Sequence, residues 1–80
     1  MERTEIKALI DNVLQAQGKE PVVNEAQTTR ELGFRSLDFS EVALRIELQI
    51  GRELNFEAAQ LRTITTVADV LDFFEAAVGR

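Results

Sequence analysis

Ser36-Leu37-Asp38-Phe39-Ser40-Glu41-Val42-Ala43-Leu44-Arg45-Ile46-Glu47-Leu48-Gln49-Ile50, closed by Gly51, is the stretch from which the fold can be read. At about 100° per residue, Phe39, Val42, Ala43, Ile46 and Ile50 gather on one side, the pattern of a helix lying on a core. Leu37, Leu44 and Leu48 gather on the opposite side. A small helical domain cannot bury both faces of one helix, so the leucine stripe is expected to be exposed, flanked by Asp38, Glu41 and Glu47. Exposed leucines scattered singly are ordinary; apolar anchors inside an acidic rim have the composition of a docking surface. Glu41 and Arg45 stand at i, i+4 in the favoured order, a pair worth about 0.3–0.5 kcal/mol and read here as a solvated face.

Two further helices lie outward from this one. The first is expected from about Thr4 to Gln17, with Thr4 as N-cap, Glu5 in the first turn, and Ile6, Leu9, Ile10, Val13 and Leu14 on one face. Gly18 can take the left-handed conformation that ends it. The last is expected from Thr66 to Val78, where Thr66 and Asp69 have the spacing of a capping box and Val67, Val70, Leu71, Phe74 and Val78 form the apolar face. A brief helical turn is expected near Glu57–Leu61. No sustained alternation competes as a strand. The segment Gly18–Arg35 is long for a connection and needs pinning, for which Pro21, Val22, Val23 and Leu32 are available.

Composition narrows the chemistry. Of 80 residues, 45% are hydrophobic, and Ile, Leu, Val and Phe supply 26 of them. That suffices for one core and not for two, so residues 1–80 are expected to form a single domain. With no Cys and no His, the chain has no disulfide, no thiolate nucleophile and no histidine base. A zinc site would have only carboxylates to use, and no metal is expected. The net charge of −5 is the wrong sign for neutralising phosphates, which disfavours nucleic acid and favours partners with basic surfaces. Neither a leader nor a membrane-length apolar run is visible, so a cytoplasmic protein is expected.

Gly33-Phe34-Arg35-Ser36-Leu37-Asp38 is the constellation with chemical promise. Ser36 reads as the N-cap of the central helix, beside backbone N–H groups that lack an intrahelical partner and would favour an attached phosphate. Serine is also simply a common N-cap. A serine hydrolase is rejected: the setting is not Gly-x-Ser-x-Gly, no His is present, and nothing places Lys7 or Lys19 near the serine.

The run Glu31-Leu32-Gly33-Phe34-Arg35-Ser36-Leu37-Asp38 resembles the prosthetic-group attachment motif of acyl carrier proteins, L-G-x-D-S-L-D. The resemblance extends over nearly the whole chain, through the motif helix ending at Gly51 to the Ile64-Thr65-Thr66-Val67 approach to the last helix. It implies an all-α, small four-helix bundle with a short third helix and a long loop between the first and second. It further implies a non-enzymatic, monomeric carrier of acyl thioesters on 4′-phosphopantetheine, transferred from coenzyme A to Ser36 by a phosphopantetheinyl transferase. Its other partners would be acyl-transferring and acyl-modifying enzymes of fatty-acid or polyketide-like biosynthesis. Their basic patches would meet Arg35, Leu37, Asp38, Glu41, Leu44, Glu47 and Leu48; no membrane and no nucleic acid is involved. The reactive thiol would then belong to the cofactor, which agrees with the absence of Cys. An aminoacyl or peptidyl carrier, and an unmodified carrier-like interaction subunit, are the alternatives. Two residues depart from the family: Arg35 stands where Asp usually precedes the serine, leaning towards a specialised pathway, and Phe39 is bulkier than many members carry, which reduces room for a buried acyl chain.

Overall fold

The computed structural model describes residues 1–79. Five helical segments follow one another: α1 (Arg3–Ala16), α2 (Thr29–Leu32), α3 (Ser36–Ile50), α4 (Ala58–Leu61) and α5 (Val67–Val78). No strand occurs among the described residues, although Thr28 and Thr66 form an isolated antiparallel bridge. The expected bundle is α1, α3, α4 and α5, with α4 the short third helix; α2 is an additional single turn inside the long loop.

The N-cap of helix α1 is Glu2, two residues before the expected Thr4. The acid three residues on explains the choice: Glu5 reaches back and accepts the Glu2 N–H at 2.8 Å, which covers one of the donors a helix start leaves unpaired. At the other end Gly18 takes φ 75°. Its N–H donates to the Gln15 carbonyl at 2.9 Å and the Lys19 N–H to the Leu14 carbonyl at 2.9 Å, the paired bonds of a Schellman ending. The chain is thereby turned sharply and Lys19 is aimed back along the bundle.

The long loop is held less by its apolar residues than by its backbone. Val22 and Leu32 are buried and Pro21 is half-buried, but Val23 is 81% exposed and pins nothing. The stronger ties run to the start of α5. Thr29 N–H donates to the Thr65 carbonyl, Val67 N–H to Gln27 and Ala68 N–H to Glu25, at 3.0, 2.9 and 2.9 Å. Within the loop, Thr28 and Glu31 cap α2 reciprocally: Glu31 N–H donates to Thr28 Oγ1 at 3.0 Å and Thr28 N–H to Glu31 Oε1 at 2.9 Å. Arg3 adds a charged clasp, binding Glu25 of the loop at 2.6 Å, Asp72 of α5 at 2.8 Å, and Glu75. Hydrogen bonds to Glu25, Glu75 and Asp72 hold the guanidinium's pKa above its ordinary range, and the bond to Arg3 lowers that of Glu25.

Helix α5 starts as expected. Thr66 Oγ1 accepts the Asp69 N–H at 3.2 Å and Asp69 Oδ2 accepts the Thr66 N–H at 3.1 Å. Val67, Val70, Leu71 and Phe74 are buried, and Val78 is half-buried. Helix α1 packs on both α3 and α5, and its Ile6, Ile10, Val13 and Leu14 meet the inward face of those helices in one continuous core.

Helix α3 shows the two faces expected of it. Phe39, Val42, Ala43 and Ile46 are buried, with Ile50 half-buried at the end, whereas Leu37, Leu44 and Leu48 are 85%, 51% and 77% exposed. The two faces therefore respond differently to truncation. Ile46→Ala leaves a cavity in the core and is expected to cost about 2–5 kcal/mol in a denaturant titration. Leu44→Ala is expected to cost less than about 1 kcal/mol. Equal losses would mean that the stripe is packed against the protein.

Candidate functional site

The turn before α3 is built from residues far apart in sequence. Gly33 ends α2 with φ 71°, in the left-handed region, and Arg35 follows in extended conformation as the N-cap of α3. Ser36 is therefore the first helical residue and not the N-cap as expected. The reason is Asp38: its Oδ2 accepts the Arg35 N–H at 2.8 Å, so the acid three residues on fixes the boundary at Arg35. The Ser36 side chain, released from capping duty, is exposed at the positive end of a 15-residue helix.

Asp38 does not sit on the acidic rim as expected. It is 6% exposed and turned inward, where Gln17 Nε2 donates to its Oδ1 and Lys19 Nζ stands 3.9 Å from its Oδ2. Burial alone would raise its pKa. The bonds from Arg35 N–H and Gln17, with the charges of Lys19 and Arg35, outweigh burial and lower it, so Asp38 is a carboxylate at neutral pH. Lys19 also donates to the Gly33 carbonyl at 2.6 Å. The C-terminal end of α1 thus grips both sides of the serine turn. Neither Gln17 nor Lys19 was legible as a site residue: the contact depends on the Gly18 reversal, and their spacing from Asp38 carries no periodic signal.

On its other side the turn borders a small cavity of about 130 Å³. Its lining comprises Thr29, Phe34, Arg35, Ser36, Phe39, Leu61, Ile64 and Val70, so Ser36 stands beside a mainly apolar hollow between α3, α4 and the start of α5.

The remaining expected site residues lie outward of the turn. Arg35, Leu37, Glu41, Leu44 and Leu48 are exposed along one side of α3. Glu41 is paired with Arg45 at 3.1 Å, as its spacing suggested. Glu47 is half-buried, and its Oε2 accepts the Leu54 N–H at 2.8 Å, so part of this carboxylate serves the loop after α3.

Comparison with known proteins agrees with this architecture. A curated acyl carrier protein from Coprothermobacter proteolyticus is 34% identical over 79 residues, spanning 95% of this chain and 94% of its own. The chain belongs to the acyl carrier protein family. A crystal structure of the acyl carrier protein from Thermotoga maritima superposes with a TM-score of 0.72 at 27% identity, over 99% of this chain and 93% of that one. No protein-family model matches the chain. Among the described residues, no helix is long and apolar enough to cross a membrane.

The grip on the turn sets a pH dependence. Because the Asp38 pKa is lowered in the folded state, its stabilisation is present above the ordinary carboxylate pKa of about 3.9 and is lost as pH falls through the lower folded value. Asp38→Asn should lose about 1–3 kcal/mol at pH 7, the range for hydrogen bonds to a charged group. It should also lose less further stability than the parent between pH 5 and 2. Parallel acid titrations of the two proteins would show that Asp38 contributes nothing special.

Proposed function

We propose that this protein is a non-enzymatic carrier that holds acyl groups as thioesters on a 4′-phosphopantetheine arm attached to Ser36. The observation that carries the reading is the placement of Ser36. It is exposed, at the first residue of the long motif helix, in the Leu32-Gly33-Phe34-Arg35-Ser36-Leu37-Asp38 context, and beside an apolar cavity.

The residues present fit such an arm. A phosphodiester on the Ser36 oxygen would lie against the N–H groups of the first turn of α3, which have no partner inside the helix. Arg35, exposed next to it, supplies a positive charge where the family pattern has an acid. When bound, the arm supplies the thiol that this cysteine-free chain lacks. The protein's own residues do the rest: Asp38, Gln17 and Lys19 fix the turn, while Ser36 offers its hydroxyl to solvent and to a transferase.

Partner enzymes would dock on the exposed side of α3. Leu37, Leu44 and Leu48 offer apolar anchors, Glu41 and the free part of Glu47 offer negative charge, and Arg35 sits at the leading edge. Asp38 is withdrawn from this surface and acts through the turn. The positive edge at Arg35 fits enzymes of a specialised, polyketide-like pathway better than those of primary fatty-acid synthesis. The curated relative's name favours acyl over aminoacyl cargo.

Incubation with coenzyme A, Mg²⁺ and a broad-specificity transferase should add one phosphopantetheine to the parent and none to Ser36→Ala, read by intact mass. Modification persisting in Ser36→Ala would overturn the assignment. A second expectation concerns Arg35. Like charges at a screened surface cost little and respond to salt. Arg35→Asp should accelerate loading by a transferase specialised for fatty-acid carriers severalfold at low salt, with the gain shrinking as salt rises. Equal rates across the salt series would make Arg35 a neutral surface residue.

A further inference from the structure

Most of the cations of this acidic chain are committed to a partner. Arg3 binds Glu25, Asp72 and Glu75, Lys7 binds Asp11, Lys19 binds Asp38, and Arg45 binds Glu41. Arg52 donates to the carbonyls of Ala77 and Val78. Arg30, Arg35 and Arg62 are different. Each is exposed, and none forms an ion pair among the described residues. Singly, such an arginine is an ordinary solvated side chain.

These three share a location. Arg35 borders the same hollow as Ser36, together with Thr29 and Leu61. Arg30 follows Thr29 and lines an adjoining surface hollow that has Thr29 and Ile64 in common with the first. Arg62 follows Leu61 as the C-cap of α4. The cations thus stand on α2, on the serine turn and at the end of α4, the segments that border Ser36. The acids of the same region are occupied. Asp38 is buried against Lys19, Glu41 is held by Arg45, and Glu31 and Asp69 are drawn onto the caps of α2 and α5. Around the serine, a protein of net charge −5 therefore presents a local field of the opposite sign.

We propose that Arg30, Arg35 and Arg62 form a cationic arc that docks on acidic side chains rimming the active-site entrance of a partner enzyme. The inference rests on the carrier reading of Ser36. An arm that leaves from Ser36 must enter the partner, so the residues around Ser36 face the rim of that entrance. Three cations without carboxylates of their own are complementary to an acidic rim and repelled by a basic one. The leucine stripe of α3 supplies the apolar contact, and the arc sets which partners are accepted at the serine end. Screening confines the effect to about 8 Å at physiological salt, so it acts at the docked surface.

The test times phosphopantetheine addition by intact mass when unloaded protein is incubated with coenzyme A, Mg²⁺ and an extract of its native host. Loading of the parent should slow as salt rises. Arg30→Gln, Arg35→Gln and Arg62→Gln combined should load about tenfold more slowly at low salt and respond little to salt. The combined Arg→Lys changes at the same positions keep the charge and should load like the parent. The Lys variant, once loaded, is also treated with a zero-length carbodiimide, which joins an amine to a carboxylate in direct contact. Links should run from positions 30, 35 or 62 to Asp or Glu of an enzyme in the extract. Links formed only from Glu41 or Glu47 to lysines of other proteins, or a Gln variant that loads as fast as the parent, would overturn the arc while leaving the carrier reading intact. A parent that gains no phosphopantetheine would instead overturn the carrier reading and this inference with it.

Discussion

The inward turn of the Asp38 carboxylate is the interaction on which the rest of the site depends. One oxygen takes the Arg35 N–H and sets where α3 begins; the other takes Gln17 from the end of α1. Lys19, beside it, ties the same helix end to the Gly33 carbonyl. A buried carboxylate is costly unless its oxygens are satisfied. Here both are, and no buried side-chain polar atom among the described residues lacks a partner. The consequence reaches Ser36. With capping supplied by Asp38, the serine hydroxyl has no structural task and faces outward at the positive end of the helix.

A second constraint acts through α3 as a whole. Its inward face carries Phe39, Val42, Ala43 and Ile46 into the core, and its outward face carries three exposed leucines. Exposed leucines add no packing energy, and a contiguous apolar stripe invites association. Under the carrier function proposed above, a partner enzyme would cover the stripe transiently. Rigidity on one face and availability on the other belong to the same fifteen residues. The loop before α3 contributes to that rigidity through its backbone bonds to the start of α5 and through the Arg3 clasp.

Much of this was legible in the sequence where it was periodic or local. The faces of α1, α3 and α5 and the Thr66–Asp69 cap follow from spacing, whereas the motif around Ser36 was read from its resemblance to the acyl-carrier attachment sequence. Helix α2 was missed although Thr28-Thr29-Arg30-Glu31 has the capping-box pattern, because a single turn offers too few residues for periodicity. The two N-caps were misplaced, by two residues in α1 and by one in α3, for a shared reason. At Glu2 and at Arg35 the reciprocal acid three residues on, Glu5 or Asp38, prevails over the intrinsic capping preference of Thr4 or Ser36. Asp38 was read as a rim charge because helical spacing puts it beside Leu37. Its burial depends on Gln17 and Lys19, which only the three-dimensional reversal at Gly18 brings near. The exposure of Val23 shows the same limit: in an irregular loop, hydrophobicity alone does not say which of two adjacent valines turns inward.

The central claim is that Ser36 bears the arm in the living cell, and intact-mass measurement of the protein purified from its native host, followed by fragmentation, tests it most directly. The account predicts one phosphopantetheine, free or acylated, localised to the peptide containing Ser36. Protein that is wholly unmodified, or modified at another residue, would contradict it.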